Sequence, residues 1–408
     1  MSGAAPFGDA IGDTTGDAAG TVGLSKLGDL AAEAGIRRIH VLAWRDLDDP
    51  EAGGSELHAH EVLRLWSQAG IEINMRTSFA AGRPQVAWRD GYRVIRKAGR
   101  YMVFPRAAFS EMAGWHGSRD ALVEIWNGMP FFSPVWCRGR KVTWLHHVHD
   151  TMWDMTLPPR LARVGRRVEF RIAPPMYRAT RTPIVTLSES SRREIIERLH
   201  MPAKRVHVVP PGIAPQYAAA PGVEKSPTPL VVAVGRLVPV KRFDALIDAL
   251  VAVRAQVPQL EAVIVGEGYE RAALERKVHE AAAESWLRLP GFVSEADKID
   301  LYRRSWLLVS ASAHEGWGMT VTEAAACGTP SVATDIAGHR DAIRDDVSGV
   351  LVRGHDDLVG ATARVLRDDA FRASLTAGAL EQAARFTWGA TAYGTLSVLC
   401  RGTVGSPA

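Results

Sequence analysis

The chain has 408 residues, of which 47% are hydrophobic and 23% charged, and its formal net charge at neutral pH is +4. This length is too great for one ordinary core and predicts two domains with a cleft between them. The composition excludes wholesale disorder, and no apolar run approaches the roughly 20 residues of a membrane-spanning helix. Three widely spaced cysteines fit neither a disulfide framework nor a zinc site, so we expect a cytoplasmic protein.

The first part of the chain predicts a short tail followed by a parallel-sheet domain. Residues 1–34 are rich in Gly, Ala, Asp and Thr without the pattern of a secretion signal, and predict a disordered tail. From residue 35, short apolar runs alternate with amphipathic stretches, which is typical of βαβ units. We expect a helix at 55–69 and a Rossmann-like N-terminal domain at 35–211. Its strands are predicted at 39–44, 71–75, 122–126, 142–145, 184–187 and 206–209.

The second part of the chain repeats this alternation after a break. Residues 212–229 are rich in proline, which disfavours helix and sheet pairing, and predict a linker. A second Rossmann-like domain is expected at 230–385, beginning with a strand at 230–234, a helix at 243–255 and a strand at 262–265. The predicted fold class is therefore α/β, with two parallel-sheet domains facing each other across a cleft. The closing segment 386–408 predicts a helix that packs back on the N-terminal domain.

Two loops that follow predicted strands are candidate phosphate sites. Parallel sheets bind ligands at the carboxyl ends of their strands, where helix N-termini expose unpaired amides. Gly53 and Gly54 precede the first helix of the N-terminal domain, where glycine permits close backbone approach to a phosphate, although a plain turn explains this pair equally well. Arg236 and Lys241 follow the strand at 230–234 and can neutralise a diphosphate, which their position favours over a solvated surface pair.

A third candidate combines two carboxylates with a glycine-rich segment. Glu315 and Glu323 stand eight residues apart among Gly, Ala and Trp, where two solvated glutamates fit poorly. If a helix begins near residue 318, the preceding loop presents free amides and the second glutamate points to the same cleft. Such a loop can hold both a sugar and a ribose. The four residues that would present these amides are Gly316, Trp317, Gly318 and Met319.

Three histidines follow the predicted strand at 142–145. They are His146, His147 and His149, and no other His or Cys cluster has ligand spacing, so we expect no metal ion. A histidine that hydrogen-bonds the transferred sugar is favoured, while a structural role remains the alternative for two of the three.

Two groups of charged residues lie outside these motifs. The acidic residues Asp46, Asp48 and Asp49 resemble a metal site superficially and predict a solvated turn. Arg and Lys crowd residues 89–106 and 160–181. These stretches fit peripheral contact with an anionic membrane at the inner face, a phosphorylated acceptor, or an ordinary solvated surface. We expect no nucleic-acid partner.

Taken together, these motifs resemble family 4 of the retaining glycosyltransferases, over about residues 36–400. That family has the GT-B fold, in which two Rossmann-like domains surround a donor cleft. The resemblance is strongest from GFVSEADKIDLYRRS to EGWGMTVTEAAACGTPSVATDIAGHRDAI, where Glu315 and Glu323 match the E-x7-E motif, and GRLVPVK matches the diphosphate-binding segment. It implies a metal-independent hexosyltransferase of glycan biosynthesis, with a UDP- or GDP-sugar as donor substrate and no separate cofactor.

The resemblance also implies roles for individual residues. Arg236 and Lys241 would hold the donor phosphates and Glu323 the ribose hydroxyls. Glu315 and the amides of residues 316–319 would face the transferred sugar.

Three further positions on either side of the cleft match the family. Val293 lies where the family's backbone meets the base, and the Gly53-Gly54 pair matches the loop that closes over the phosphates. His146 or His147 matches the histidine that contacts the sugar.

Two segments depart from the family. In the linker, Pro211-Gly212-Ile213 stands where an Asn-Gly-Val-Asp type sequence is common, which concerns the hinge, and the other departure lies in the C-terminal half. The usual Gly-Gly-x-x-Glu is replaced by Gly338-His339-Arg340-Asp341, which predicts different contacts near the sugar or acceptor. The acceptor is unidentified, with a lipid-linked glycan, a polysaccharide and a small metabolite as the possibilities. A nucleotide-sugar epimerase, a glycan phosphorylase and a non-catalytic nucleotide-sugar-binding protein are the alternatives. A dehydrogenase is disfavoured because no G-x-G-x-x-G follows the first strand.

Overall fold

A computed structural model describes residues 23–150 and 152–401, and the fold is α/β with two sheets. The first sheet has the order β3-β4-β2-β1-β5-β6-β7-β8, and only the β3–β4 pair is antiparallel. Its strands are β1 (Arg38–Leu42), β2 (Glu72–Thr77), β3 (Val86–Arg89), β4 (Tyr92–Arg96), β5 (Ala121–Ile125), β6 (Arg140–Trp144), β7 (Ile184–Thr186) and β8 (Val206–Val208).

The second sheet has six parallel strands in the order β11-β10-β9-β12-β13-β14. This is the order of a Rossmann fold, in which the direction of winding reverses beside the first strand and leaves a crevice for ligand. The strands are β9 (Leu230–Val234), β10 (Glu261–Val265), β11 (Leu287–Gly291), β12 (Leu307–Ser310), β13 (Ser331–Thr334) and β14 (Gly349–Val352).

Helices cover both sheets, and their apolar faces form the cores. The first half contains α1 (Leu24–Glu33), α2 (Gly54–Gln68), α3 (Val103–Met112), α4 (Ser133–Trp136), α5 (Met152–Thr156), α6 (Pro159–Arg167), a π-helical turn (Val168–Ile172), α7 (Ala173–Arg178), α8 (Glu189–Arg198) and a 3-10 turn (Ala203–Arg205). The second half contains a 3-10 turn (Pro239–Lys241), α9 (Phe243–Gln256), α10 (Arg271–Glu280), α11 (Glu295–Arg304), α12 (Met319–Ala326), α13 (His339–Ala342), α14 (His355–Arg367), α15 (Asp369–Ala383) and α16 (Trp388–Arg401).

Helix α2 illustrates how local sequence produces these elements. Its side chains Val62, Leu63 and Trp66 recur at helical spacing and are fully buried in the first core. Its start is fixed by a hydrogen bond from the Gly53 amide to Glu56 Oε2 at 2.8 Å. The Gly53-Gly54 pair is therefore held at the carboxyl end of β1.

The chain passes between the two domains twice, and the two passages touch. Ile213 N donates to Phe386 O at 3.2 Å, and a Cβ atom at Gly212 would lie 2.1 Å from Trp388 N. Beyond this crossing α16 packs on the first domain, where Trp66 Nε1 donates to Ala392 O at 3.0 Å and Leu396 is fully buried. The last helix therefore joins the N-terminal core.

The prediction of a disordered tail at 1–34 is wrong for its last part. Residues 24–33 form α1, whose Leu27 and Ala31 are buried against α2 and α16. The helix is stabilised by an apolar stripe contributed partly by the far end of the chain, which local composition does not reveal. Residues 1–22 lie outside the described residues.

The prediction of a solvated turn at Asp46, Asp48 and Asp49 is also wrong for the first two aspartates. Asp46 is buried, and its Oδ2 accepts from Arg96 Nε of β4 at 2.7 Å. Asp48 Oδ1 pairs with Arg89 of β3 at 2.6 Å. Because buried carboxylates need a cation, this turn anchors the β3–β4 hairpin, which the sequence analysis did not predict.

Among the described residues, the structure contains no helix long and apolar enough to cross a bilayer.

Candidate active site

The loop that carries Gly53 and Gly54 contacts the second domain directly. A Cβ atom at Gly53 would lie 3.7 Å from Arg236 Nε, and one at Gly54 would lie 3.3 Å from Met319 Sδ. Arg236 Nη1 also donates to Glu51 O at 3.3 Å. The structure therefore brings the predicted glycine loop and two of the predicted C-terminal site residues to one cleft, in a closed arrangement.

Lys241 and Glu315 form an ion pair inside this cleft. Lys241 ends the 3-10 turn after β9, and its Nζ donates to Glu315 Oε1, which also accepts from Ser312 Oγ at 2.9 Å. Burial raises the pKa of Glu315, but the charges of Lys241 and His339 and the hydrogen bonds from Lys241 and Ser312 outweigh it and lower the pKa below its ordinary value. Glu315 is therefore ionised at neutral pH.

The segment after Glu315 forms the predicted helix start. Gly318 has a φ of 101° and caps α12, a left-handed conformation that favours glycine. A Cβ atom at Gly338 would lie 2.6 Å from Glu315 O and 2.8 Å from Trp317 N, so α13 fixes this loop from behind. Trp317 itself is buried against Phe386, with ring centroids 5.0 Å apart. The backbone of Trp317 therefore borders the loop, whereas its side chain belongs to the core.

Glu323 lies one turn into α12 and is buried. Its Oε2 accepts from Tyr302 Oη at 3.2 Å and lies 3.6 Å from Lys298 Nζ. Burial raises the pKa of Glu323 to about 7, because desolvation exceeds the opposing effect of Lys298. The carboxyl group therefore changes its charge near neutral pH.

Val293 follows β11 and is partly buried against Val263 and Val265. Its neighbour Phe292 is largely exposed. Both residues follow the carboxyl end of β11, which is parallel to β10. The other site loops also follow the carboxyl ends of strands.

The two candidate histidines have different surroundings. His146 is buried against the His58 ring, with centroids 4.8 Å apart, and neither of its ring nitrogens has a partner among the described residues. His147 approaches the loop of residues 316–319, since a Cβ atom at Gly316 would lie 3.4 Å from its Nδ1. Burial is the main reason that the pKa of His147 lies well below its usual range, and the neighbouring imidazoles lower it further. The His147 ring is therefore neutral.

Two further groups at the cleft were not found from the sequence. The His314 ring lies 5.3 Å from the His147 ring, and burial raises the pKa of Glu194 on α8, with His314 opposing it. His314 directly precedes Glu315, so its place in the motif was a usable signal. Glu194 offered no such signal because α8 reaches the cleft only in the folded protein.

Asp341, in the Gly338-His339-Arg340-Asp341 segment, forms a contact between the two domains. Asp341 Oδ1 accepts from Glu189 N at 3.0 Å, and its Oδ2 accepts from Ser190 N at 3.1 Å. A carboxylate of the second domain therefore caps the N-terminus of α8 in the first domain. Ser191 Oγ of the same helix donates to Gly316 O at 3.5 Å.

In residues 23–150 and 152–401, no group of three or more His, Cys, Asp or Glu side chains is arranged to hold a metal ion.

Comparisons with known proteins agree with this architecture. The model of the "Glycosyltransferase Family 4" domain matches residues 52–217, and that of "Glycosyl transferases group 1" matches residues 219–382. A D-inositol 3-phosphate glycosyltransferase from Thermobispora bispora is 31% identical over 394 residues, covering 85% of this chain and 90% of the relative.

Solved structures share the fold at lower identity. Sucrose-phosphate synthase from Thermosynechococcus elongatus has a TM-score of 0.73 and 19% identity, covering 87% of this chain and 96% of that chain. The Anabaena protein HepE in complex with UDP-glucose has a TM-score of 0.69 and 17% identity, covering 91% and 100%. The paired domain matches, the full-length relative and the two facing sheets lead to one conclusion: this chain is a glycosyltransferase of family 4 and has the GT-B fold.

Proposed function

We propose that this glycosyltransferase transfers a hexose from a UDP- or GDP-sugar with retention of the anomeric configuration. The observation that carries the proposal is the Lys241–Glu315 pair, which lies in the same cleft as Arg236 and the Gly53-Gly54 loop. Two cations at the carboxyl end of β9 stabilise the negative charge that grows on a departing diphosphate. The neighbouring glutamate and helix start then border the sugar.

The predicted site residues of the second domain have separate roles in this proposal. Arg236 exchanges the Glu51 carbonyl for a phosphate oxygen, and Lys241 shares its charge between Glu315 and the diphosphate. Glu323 accepts from the ribose hydroxyls, and the backbone near Val293 meets the base. These assignments follow the family's positions.

His147 is the histidine that we assign to the sugar. Its ring lies beside Gly316, whereas the His146 ring packs against His58 in the interior. A neutral imidazole both donates and accepts a hydrogen bond, which suits a sugar hydroxyl.

The proposed chemistry breaks the bond between the anomeric carbon and the phosphate oxygen. The acceptor oxygen forms its bond to that carbon on the same face, and its proton passes to the leaving phosphate. Glu315 and Glu323 are both hydrogen-bonded within the protein, so neither is assigned as a nucleophile of the glycosidase kind.

The comparisons indicate which substrates to test first. The HepE complex contains UDP-glucose, which supports a UDP-hexose donor. The Thermobispora relative is named for D-inositol 3-phosphate, which makes a phosphorylated cyclic polyol the first acceptor to test. Lipid-linked glycans and polysaccharides follow as further acceptors.

A donor screen and a product analysis test the proposal. Thermal shift with UDP-, GDP- and ADP-hexoses should single out one donor, because a ligand of the folded state raises the melting temperature. NMR of the product formed from an α-linked donor should show an α linkage. A β-linked product would contradict retention, and no stabilisation by any nucleotide sugar would contradict donor binding. Donor epimerisation without acceptor would assign the chain to the epimerase alternative.

A further inference from the structure

The two arginine-rich stretches differ in how their charges are satisfied. In residues 89–106, Arg89 pairs with Asp48, Arg96 with Asp46 and Arg100 with Glu51. In residues 160–181, the ion pair between Arg166 and Asp154 is the only one among the described residues. Half of the six cations of the first stretch are therefore paired within the fold, whereas six of the seven arginines of the second have no ion pair among the described residues.

The second stretch is one continuous helical segment over residues 159–178, formed by α6, the π turn and α7. Its length is about 30 Å at the usual helical rise. The arginines without a carboxylate partner are all exposed, and they are Arg160, Arg163, Arg167, Arg171, Arg178 and Arg181. Glu169, the one acidic residue of the segment, is buried and accepts from His149 N and Trp153 Nε1.

Apolar side chains are exposed along the same segment. Leu161, Val164, Ile172 and Met176 are between 39% and 56% exposed. On α4, which packs against α7, Val135 is 60% exposed. Leucine, isoleucine and methionine beside a row of arginines form an amphipathic surface whose apolar part lies outside the core rather than in it.

We propose that this basic–apolar segment of residues 159–181 docks on an anionic lipid bilayer. Its six uncompensated arginines match the negative surface of such a bilayer, and its exposed apolar side chains enter the boundary between headgroups and acyl chains. Among the described residues, Asp154 is the one carboxylate that forms an ion pair with an arginine of this segment. The docking is independent of the proposed donor and acceptor.

The segment is firmly joined to the active site. The buried Glu169 holds the His149 amide at 2.7 Å, and a Cβ atom at Gly165 would lie 2.6 Å from Trp153 Cε3. Docking therefore places the first domain's side of the cleft beside the lipid headgroups without requiring the segment to refold.

Flotation of the full chain with vesicles tests the proposal. The protein should float with vesicles in which about a third of the lipid is phosphatidylglycerol and remain below with pure phosphatidylcholine. The variant R163Q/R167Q/R171Q should lose about a hundredfold in binding, at roughly fivefold for each charge removed. Raising the ionic strength should weaken wild-type binding in the same direction.

Two further variants separate charge from apolar contact. K204Q/R276Q/R288Q removes the same charge from exposed positions elsewhere and should bind like the wild type. L161S/I172S should keep the salt dependence and bind more weakly. All variants should retain the wild-type melting temperature and donor affinity, which shows that they fold.

Three outcomes would overturn the proposal. These are failure of the wild type to float with anionic vesicles, equal flotation with neutral vesicles, and an equal loss in the control variant. A concentration-dependent dimer that L161S/I172S dissociates, without any vesicle binding, would assign the surface to a second copy of the chain instead.

Discussion

The two walls of the cleft satisfy their polar groups in different ways. In the C-terminal domain, Lys241 pairs with Glu315 in the cleft, and Glu323 accepts from Tyr302 and lies near Lys298. On the N-terminal wall, His147 and His149 have ring nitrogens without partners among the described residues, and burial lowers their pKa values. A charged ligand would therefore compete with existing ion pairs on the C-terminal side. On the N-terminal side it would meet neutral hydrogen-bonding groups.

The two walls should therefore respond differently to amino-acid substitutions. Removing one charge from the C-terminal wall leaves its partner unpaired and alters the site electrostatically. Substitutions that shift the walls relative to each other act through geometry. The following predictions separate these effects, from the largest to the smallest.

Replacing Lys241 with alanine should have the largest effect, because in the proposed mechanism it removes one of the two cations that stabilise the departing diphosphate. We expect kcat to fall by about 10² to 10³, as for the loss of one electrostatic group in a preorganised site. Turnover is measured as release of the nucleoside diphosphate. Lys277→Ala is the matched control, since Lys277 also pairs with a carboxylate, Asp248, at 2.8 Å on the outer surface of α9 and α10. Wild-type turnover in K241A would remove Lys241 from the mechanism.

Glu323→Gln should change both the stability and its dependence on pH. The pKa of Glu323 is about 7 in the folded chain and about 4.3 in an unfolded one, so the stabilising contribution of its protonated form is complete below about pH 4.3. This contribution is lost as the pH rises through 7, at a cost on the order of 3 kcal/mol.

The measurement is the free energy of unfolding of the wild type and E323Q between pH 4 and 8. The wild type should become less stable relative to E323Q as the pH rises through this range, and a constant difference would contradict the raised pKa. Nucleotide affinity should fall in E323Q, and more at pH 8 than at pH 5.5, because the ionised carboxylate is the better acceptor for ribose hydroxyls.

Gly338→Ala should weaken donor binding by distorting the loop between the two glutamates. The added Cβ would meet Glu315 O at 2.6 Å and Trp317 N at 2.8 Å. Gly222→Ala is a close control, because Gly222 has a φ of +83° against +85° for Gly338 and no atom within 4 Å. Both variants place a Cβ atom at a positive φ and therefore bear a backbone strain of about 1 to 3 kcal/mol. We expect about a tenfold loss of nucleotide affinity in G338A alone. Equal affinities in the two variants would contradict this role of Gly338.

Asp341→Ala should have the smallest effect, confined to the contact between the domains. Loss of the cap on α8 should destabilise the closed arrangement of the domains by about 0.5 to 2 kcal/mol. We expect this change to raise KM a few-fold. Asp368 caps α15 within one domain, where its Oδ1 accepts from Phe371 N at 2.9 Å. D368A should therefore lower the melting temperature without raising KM, and an unchanged KM in D341A would show that this contact does not influence closure.

Much of the fold was predictable because its elements are local. The strand at Leu230–Val234 matches the prediction residue for residue, and α9 differs from its predicted bounds by one residue. The β3–β4 hairpin was missed because its arginines suggest a solvent-exposed stretch, although Arg96 is buried by its pairs with Asp46 and Asp48. A pattern of charge along the chain does not reveal a carboxylate about 50 residues away.

The candidate site shows the same division. Arg236 and Lys241 were recognisable because they follow a predicted strand, where parallel sheets expose their loops. Glu315 was recognisable from its glycine-rich surroundings and its spacing from Glu323. The choice between His146 and His147 was not available, since adjacent residues point in opposite directions and only the packed neighbours, His58 and Gly316, distinguish them.

Local sequence patterns are sufficient to predict the alternation of strands and helices, the two Rossmann-like sheets and the residue types at their strand ends. Apolar periodicity and glycine-rich turns are properties of neighbouring residues, so they can be recognised without coordinates. Only the tertiary structure shows that Asp341 caps α8 and that Arg236 contacts the Gly53 loop. It also shows that six of the seven arginines of 160–181 have no ion-pair partner in the part of the chain that the structure describes. These features depend on which distant segments meet when the two sheets face each other, because charge and burial are set by neighbours in space.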